Sequence, residues 1–208
     1  MIKARHTYTG KLVCDFFSEY RLNDAFRSVK IYGEGDSKGL PVLMIANHFS
    51  WWDGFIQYRL NRKVFGKIFH VMMLEEQLSK NMILNKGGAF SIRKNTRDII
   101  HSLNYCTDLL KDKDNLVLIF PQGKIESIYT PYIQFEKGLD YLLKRVTNEV
   151  QLVFNINLVD YFSQKKPSLN IYYKTYSLSS PFDLADIERD FNIYLDECKS
   201  LQNRKWKI

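Results

Sequence analysis

Two short stretches of this chain, residues 42–46 and 116–120, are apolar at every position and no longer than a strand. A strand exposed on one face alternates apolar with polar residues, so an unbroken run of this length implies burial on both faces. Strands buried twice belong in a mostly parallel sheet with helices above and below. The rest of the chain fits that demand. Strand-like segments also fall at 28–32, 67–74, 151–159 and 169–176. Helix-like segments fall at 8–26 (with a break near Leu22-Asn23-Asp24), 50–61, 96–111, 135–146 and 183–201. Ser50 is placed to cap the helix at 50–61, with Asp53 three residues on. The expectation is one α/β domain over residues 1–208, built on a mixed, mostly parallel sheet flanked by helices. Residues 1–27 form an amphipathic helical segment ahead of it.

No apolar run approaches the ~20 residues that span a bilayer, and the N-terminus leads into no hydrophobic signal segment. Cys14, Cys106 and Cys198 lie far apart without a C-x-x-C or clustered histidines. They read as reduced thiols of a cytosolic protein rather than a disulfide frame or zinc site, and no metal or bound cofactor is implied. A net charge of +7 favours an anionic partner, such as a membrane surface, an acidic carrier protein or a phosphorylated substrate. The basic residues are dispersed and no recognition helix or stacking sheet is evident, so nucleic acid is not expected.

Open α/β sheets bind ligands beyond the carboxyl ends of their strands. Three polar loops are candidates there. The first, after residues 42–46, carries Asn47, His48 and Asp53. The second, 87–94, holds Gly87, Gly88, Arg93 and Lys94. The third follows 116–119 as Phe120-Pro121-Gln122-Gly123-Lys124. A histidine with a carboxylate partner can take a proton from an alcohol. Cations and a glycine turn supply an anion clamp and exposed N–H donors. Each feature alone has a plain structural reading. Asp53 could only favour a helix start, the glycines could only serve a turn, and Phe120-Pro121 could only end a strand.

Taken in order and at these separations, the three loops resemble the glycerolphosphate and lysophospholipid acyltransferases. His48-x4-Asp53 preceded by Asn47 looks like their first motif. Gly88-Ala89-Phe90-Ser91-Ile92-Arg93-Lys94 is similar to the second, and Phe120-Pro121-Gln122-Gly123 to the third. The segment ending near Asn157 falls where a weak fourth motif stands. The resemblance covers residues 28–160, the motif-bearing core, and implies a glycerol-3-phosphate acyltransferase-like fold.

It further implies that His48 is the general base and that Asp53 orients its imidazole. Arg93 or Lys94, with Gly88 and Lys124, would bind the acceptor's phosphate or other anionic group. Pro121, Gln122 and Gly123 would form the oxyanion loop. The donor would be an acyl carrier protein or coenzyme A thioester, and the acceptor a lysophosphatidate or related lysolipid. The protein would sit on the cytoplasmic face of the cell membrane. No G-x-S-x-G is present, which favours direct transfer over an acyl-enzyme.

The third motif departs from the usual FPEGTRS, with Gln122 for Glu, Lys124 for Thr and Ile125 for Arg. Arg93 occupies a position that is usually acidic. These changes imply a more positive acceptor site. They also leave two alternatives: a non-phosphate acceptor (pigment, glycolipid or aminolipid), or a non-catalytic lipid- or carrier-binding protein. Trp51, Trp52 and the N-terminal aromatics are placed to pack on the sheet or to meet a lipid surface.

Overall fold

The two uninterrupted apolar runs become adjacent parallel strands in the middle of a sheet. The computed structural model describes residues 1–93, 98–178 and 182–204. Among these residues the strands are β1 (Ser28–Glu34), β2 (Val42–Ala46), β3 (Ile68–Leu74), β4 (Ala89–Ile92), β5 (Asn115–Ile119), β6 (Gln151–Asp160) and β7 (Ser168–Tyr176). They lie in the order β1-β7-β6-β2-β5-β3-β4. Strands β2 to β6 all run the same way. β7 returns antiparallel on β6, and β1 lies parallel to β7 at the edge. Every residue of β2 and β5 is buried, as a strand covered on both faces requires.

The helices are α1 (Tyr8–Asp15), α2 (Leu22–Ala25), α3 (Asp53–Leu60), α4 (Glu75–Lys80), α5 (Met82–Asn85), α6 (Ile99–Leu109), α7 (Gly138–Leu143) and α8 (Leu184–Arg204). Alternation along β2 divides the core into two. Val42 and Met44 pack with Leu22, Phe55, Ile56 and Leu60 from α2 and α3. Leu43 and Ile45 join Cys106, Leu142 and Phe191 from α6, α7 and α8 on the other face. The chain therefore leaves β2 toward one face and β5 toward the other. Two neighbouring parallel strands whose loops diverge leave a crevice above their carboxyl ends. That crevice positions the site.

Several elements differ from the sequence expectation. The N-terminal helix has no break at Leu22-Asn23-Asp24. It runs from α1 through a wide i→i+5 turn (Phe16–Arg21) into α2. Leu22 is fully buried, while the Asn23 side chain accepts a hydrogen bond from Arg59. α3 begins at Asp53 rather than Ser50, because Ser50 turns both its N–H and its hydroxyl onto the Asp53 carboxylate. Residues 75–85, to which the sequence assigned no element, hold α4 and α5, each with one buried residue, too few to show a period. The second loop contains β4, a four-residue edge strand paired with β3. The helix expected over 135–146 is confined to Gly138–Leu143, and that over 96–111 is seen as Ile99–Leu109. The start of the latter, at Thr96, lies outside the described residues.

Candidate active site

His48 and Phe120 leave the sheet side by side, since Ile45 faces Ile119 in the β2–β5 register. Their rings stack with centroids 4.1 Å apart and planes inclined by 14°. His48 Nδ1 lies 2.7 Å from Asp53 Oδ2. A carboxylate oxygen can only accept, so Nδ1 carries the proton and Nε2 holds the lone pair. The same Oδ2 accepts the N–H groups of Phe49 (2.7 Å) and Ser50 (2.9 Å), while Oδ1 accepts the Ser50 hydroxyl (2.8 Å). Asp53 has no solvent exposure, whereas the His48 side chain keeps 22% of its surface open. The helix-start and histidine-orienting readings of Asp53 thus coexist in one carboxylate. One side of the pair is locked and the other faces outward.

Asn47 ties this turn to the neighbouring strand β6. Its side-chain amide donates to Asn157 O (3.0 Å) and accepts from Asn157 N–H (2.8 Å), extending the β2–β6 ladder beyond Ala46. The third loop closes over the other flank. Gln122 is buried and its Oε1 accepts the His48 N–H at 2.6 Å. Gly123 takes a left-handed φ of +64°, which glycine tolerates best. Its own N–H closes a turn onto Phe120 O (3.1 Å). That N–H is therefore engaged within the loop. Pro121, Gly123, Lys124 and Ile125 all border the cavity described next.

That cavity, about 320 Å³, opens beside His48 and Trp51. One wall runs down β3 and β4 through Val71, Met73 and Ala89 to Tyr58 and Cys14. Burial pushes the Cys14 thiol up to about 11, so it stays a neutral apolar surface. The other wall is Leu103 and Leu139 from α6 and α7. Gly87 borders the cavity, but Gly88 serves the backbone. Its φ is +105°, and a Cβ there would lie 2.0 Å from Phe69 O.

Two of the cations expected to bind the acceptor, Arg93 and Lys124, have carboxylate partners. The Arg93 guanidinium binds the Glu75 carboxylate through Nε (2.8 Å) and a terminal nitrogen, and reaches Asp98 at 3.3 Å. Hydrogen bonds from Arg93 and Ser91 hold the Glu75 carboxyl below its usual range. Lys124 Nζ lies 3.1 Å from Glu126. Arg93 and Lys124, two of the three candidate anion-binding cations, thus face carboxylates. Lys94, the other candidate, lies outside the described residues. Glu75 and Glu126 escaped the sequence reading because each meets its cation only through the fold of the chain. Among the described residues no three of His, Cys, Asp or Glu gather as they would around a metal ion.

A histidine oriented by a buried carboxylate, at the carboxyl ends of parallel strands and beside an apolar cavity, is an arrangement that can accept a proton from a hydroxyl. The family model described as Acyltransferase matches residues 28–153, more than half of the chain, and the protein belongs to that family. Among solved structures, one match is the 1-acyl-sn-glycerophosphate (LPA) acyltransferase PlsC from Thermotoga maritima. Identity to it is 15% and the TM-score is 0.53, over 95% of this chain and 82% of that one. At that identity the likeness is one of fold. No curated protein matches the sequence. The fold class and the acyltransferase assignment read from the three motifs are borne out.

Proposed function

We propose that the protein transfers a fatty acyl group from an acyl carrier protein or coenzyme A thioester to a hydroxyl of a lysolipid-like amphiphile. The carrying observation is the 2.7 Å contact from His48 Nδ1 to buried Asp53, at the mouth of an apolar cavity. His48 Nε2 takes the hydroxyl proton as the oxygen attacks the thioester carbon. Peptide N–H groups near Lys124 meet the oxyanion. Collapse breaks the C–S bond, and the imidazolium returns the proton to the leaving thiolate. Asp53 keeps the tautomer and stabilises the imidazolium, as the acid of a hydrolase triad does.

An amphiphilic acceptor places the enzyme at a membrane surface, on the cytoplasmic face. No described helix is long and apolar enough to cross a bilayer. Tyr8, Leu12, Phe16 and Tyr20 recur every fourth residue and are 48–76% exposed. Phe17 beside them packs against Trp51 at the cavity mouth. With the net charge of +7 this row suits an anionic interface. The engagement of Arg93 by Glu75 and Asp98, and of Lys124 by Glu126, favours one second reading: an acceptor without a phosphate monoester, such as a pigment, glycolipid or aminolipid.

Both readings are tested by thioester consumption over a panel of acceptors, including lysophosphatidate and neutral and amino lysolipids, with both donor types. His48→Ala should lose roughly three decades or more of rate while keeping its melting temperature. A purified, folded His48→Ala protein that transfers at the native rate would remove His48 as the base.

A further inference from the structure

His48 is held by more than its ring. Its N–H donates to Gln122 Oε1 (2.6 Å), and its carbonyl accepts the Glu126 N–H (2.9 Å). Gln122 Nε2 in turn donates to Glu126 Oε2 (2.8 Å), and Lys124 Nζ reaches Glu126 Oε1 (3.1 Å). These contacts close a ring through residues 48, 122 and 126. An amide is asymmetric, so one end must present oxygen and the other N–H. The His48 N–H requires oxygen toward the base, and the carboxylate at 126 requires the NH₂ on the other side. Each partner therefore dictates the same orientation. The same Gln122 hydrogen bond, seconded by Lys124, holds the Glu126 carboxyl below its usual range, so it is an acceptor at neutral pH.

We propose that Gln122 and Glu126 act as a positioning pair for His48. One loop clasps both peptide groups of the base, and the carboxylate fixes which way the amide points. This rests on the reading of His48 as the base. Neither residue need touch substrate. Their role is to set where Nε2 stands relative to the cavity mouth, and displacement of a reacting group by about 1 Å can cost on the order of 100-fold in rate. Gln122 is buried, so an error there has no solvent to absorb it.

The test is a paired exchange. Gln122→Glu sets two carboxylates against each other where an N–H···O bond now lies, and like charges at that distance push the loop apart. Glu126→Gln alone removes the charge that fixes the amide but can still present an oxygen to Gln122 Nε2, so it should lower kcat by less than Gln122→Glu does. The double variant Gln122→Glu/Glu126→Gln restores one acid and one amide in reversed order. With palmitoyl-coenzyme A and 1-oleoyl lysophosphatidate in mixed micelles, Gln122→Glu is expected to lower kcat about 10- to 100-fold with little change in KM. The double variant should recover most of it. In protein labelled with ¹⁵N-histidine, which has four histidines, the His48 ring signals should move in Gln122→Glu and return in the double variant. This second readout needs no turnover.

A Gln122→Glu protein with native kcat and unmoved His48 signals would overturn the proposal. So would a double variant no better than the single one. If His48→Ala is inactive while Gln122→Glu is normal, only the positioning role falls. If His48→Ala is itself active, the base assignment falls first.

Discussion

Replacing Asp53 by Asn separates charge from geometry at the site. Oδ2 receives three N–H donors, from His48, Phe49 and Ser50, and Oδ1 receives one hydroxyl. An Asn amide must therefore turn its oxygen to the Oδ2 side, since an NH₂ there would face three donors. Its NH₂ then meets the Ser50 hydroxyl, which can accept. The imidazole keeps its proton on Nδ1 and its lone pair on Nε2. What disappears is the negative charge beside the imidazolium that forms during transfer.

At ~4 Å and an effective dielectric near 20, that attraction is about 4 kcal/mol, close to three decades of rate. The partly open imidazole screens some of it, so a loss of roughly 100- to 1,000-fold in the single-turnover rate is expected. Trading charge-assisted for neutral hydrogen bonds should cost roughly 1–2 kcal/mol of stability, a few degrees of Tm. Rapid-quench acyl transfer and thermal unfolding measure the two separately. A variant within about threefold of the native rate would refute the reasoning, because it assigns about 4 kcal/mol to the charge. A fall in Tm above about 10 °C with the rate intact would make Asp53 a structural residue.

Two other outcomes are expected. Burial pushes His70 down from 6.5 to about 4, with the His6 ring adding to it, so the folded protein holds His70 neutral. Its stabilisation is complete above pH 6.5 and is lost as pH falls toward 4, because only the unfolded chain takes the proton; the loss is roughly 3 kcal/mol. Urea titrations at pH 7 and pH 4.5 should show this slope in the native protein and a flatter one in His70→Gln, and equal slopes would refute it. At the N-terminus, Phe16→Ser/Tyr20→Ser removes two half-exposed or more exposed rings from the helix face. Binding to vesicles with anionic lipid should weaken at least about tenfold with the fold intact. Unchanged sedimentation with vesicles would rule out that face as the docking surface.

What the sequence revealed depended on whether a feature repeats. The runs at β2 and β5 were legible because double burial leaves no polar position in them. His48 and Asp53 were legible because a dyad within one turn has a fixed spacing. β4 was read as loop because it is four residues long, follows two glycines and buries Ser91 among apolar residues. The carboxylate partners of the cations were not legible for another reason. Arg93 and Lys124 count as added positive charge in a one-dimensional tally, yet Glu75 is 18 positions from Arg93 in sequence and meets it only once β3 and β4 pair. Glu126, two residues beyond Lys124, meets it only because the loop folds back on itself.

The Asp53 carboxylate gathers every one of its partners from residues 48–50, so base and acid are assembled by a single short segment that needs no distant part of the chain. The Gln122 contact to the same histidine spans 74 positions. The first arrangement can form as soon as the turn into α3 does, whereas the second waits for the sheet to close. A segment that completes its own chemistry has little freedom to vary, while a distant brace can be rebuilt from different atoms provided the exchange is matched.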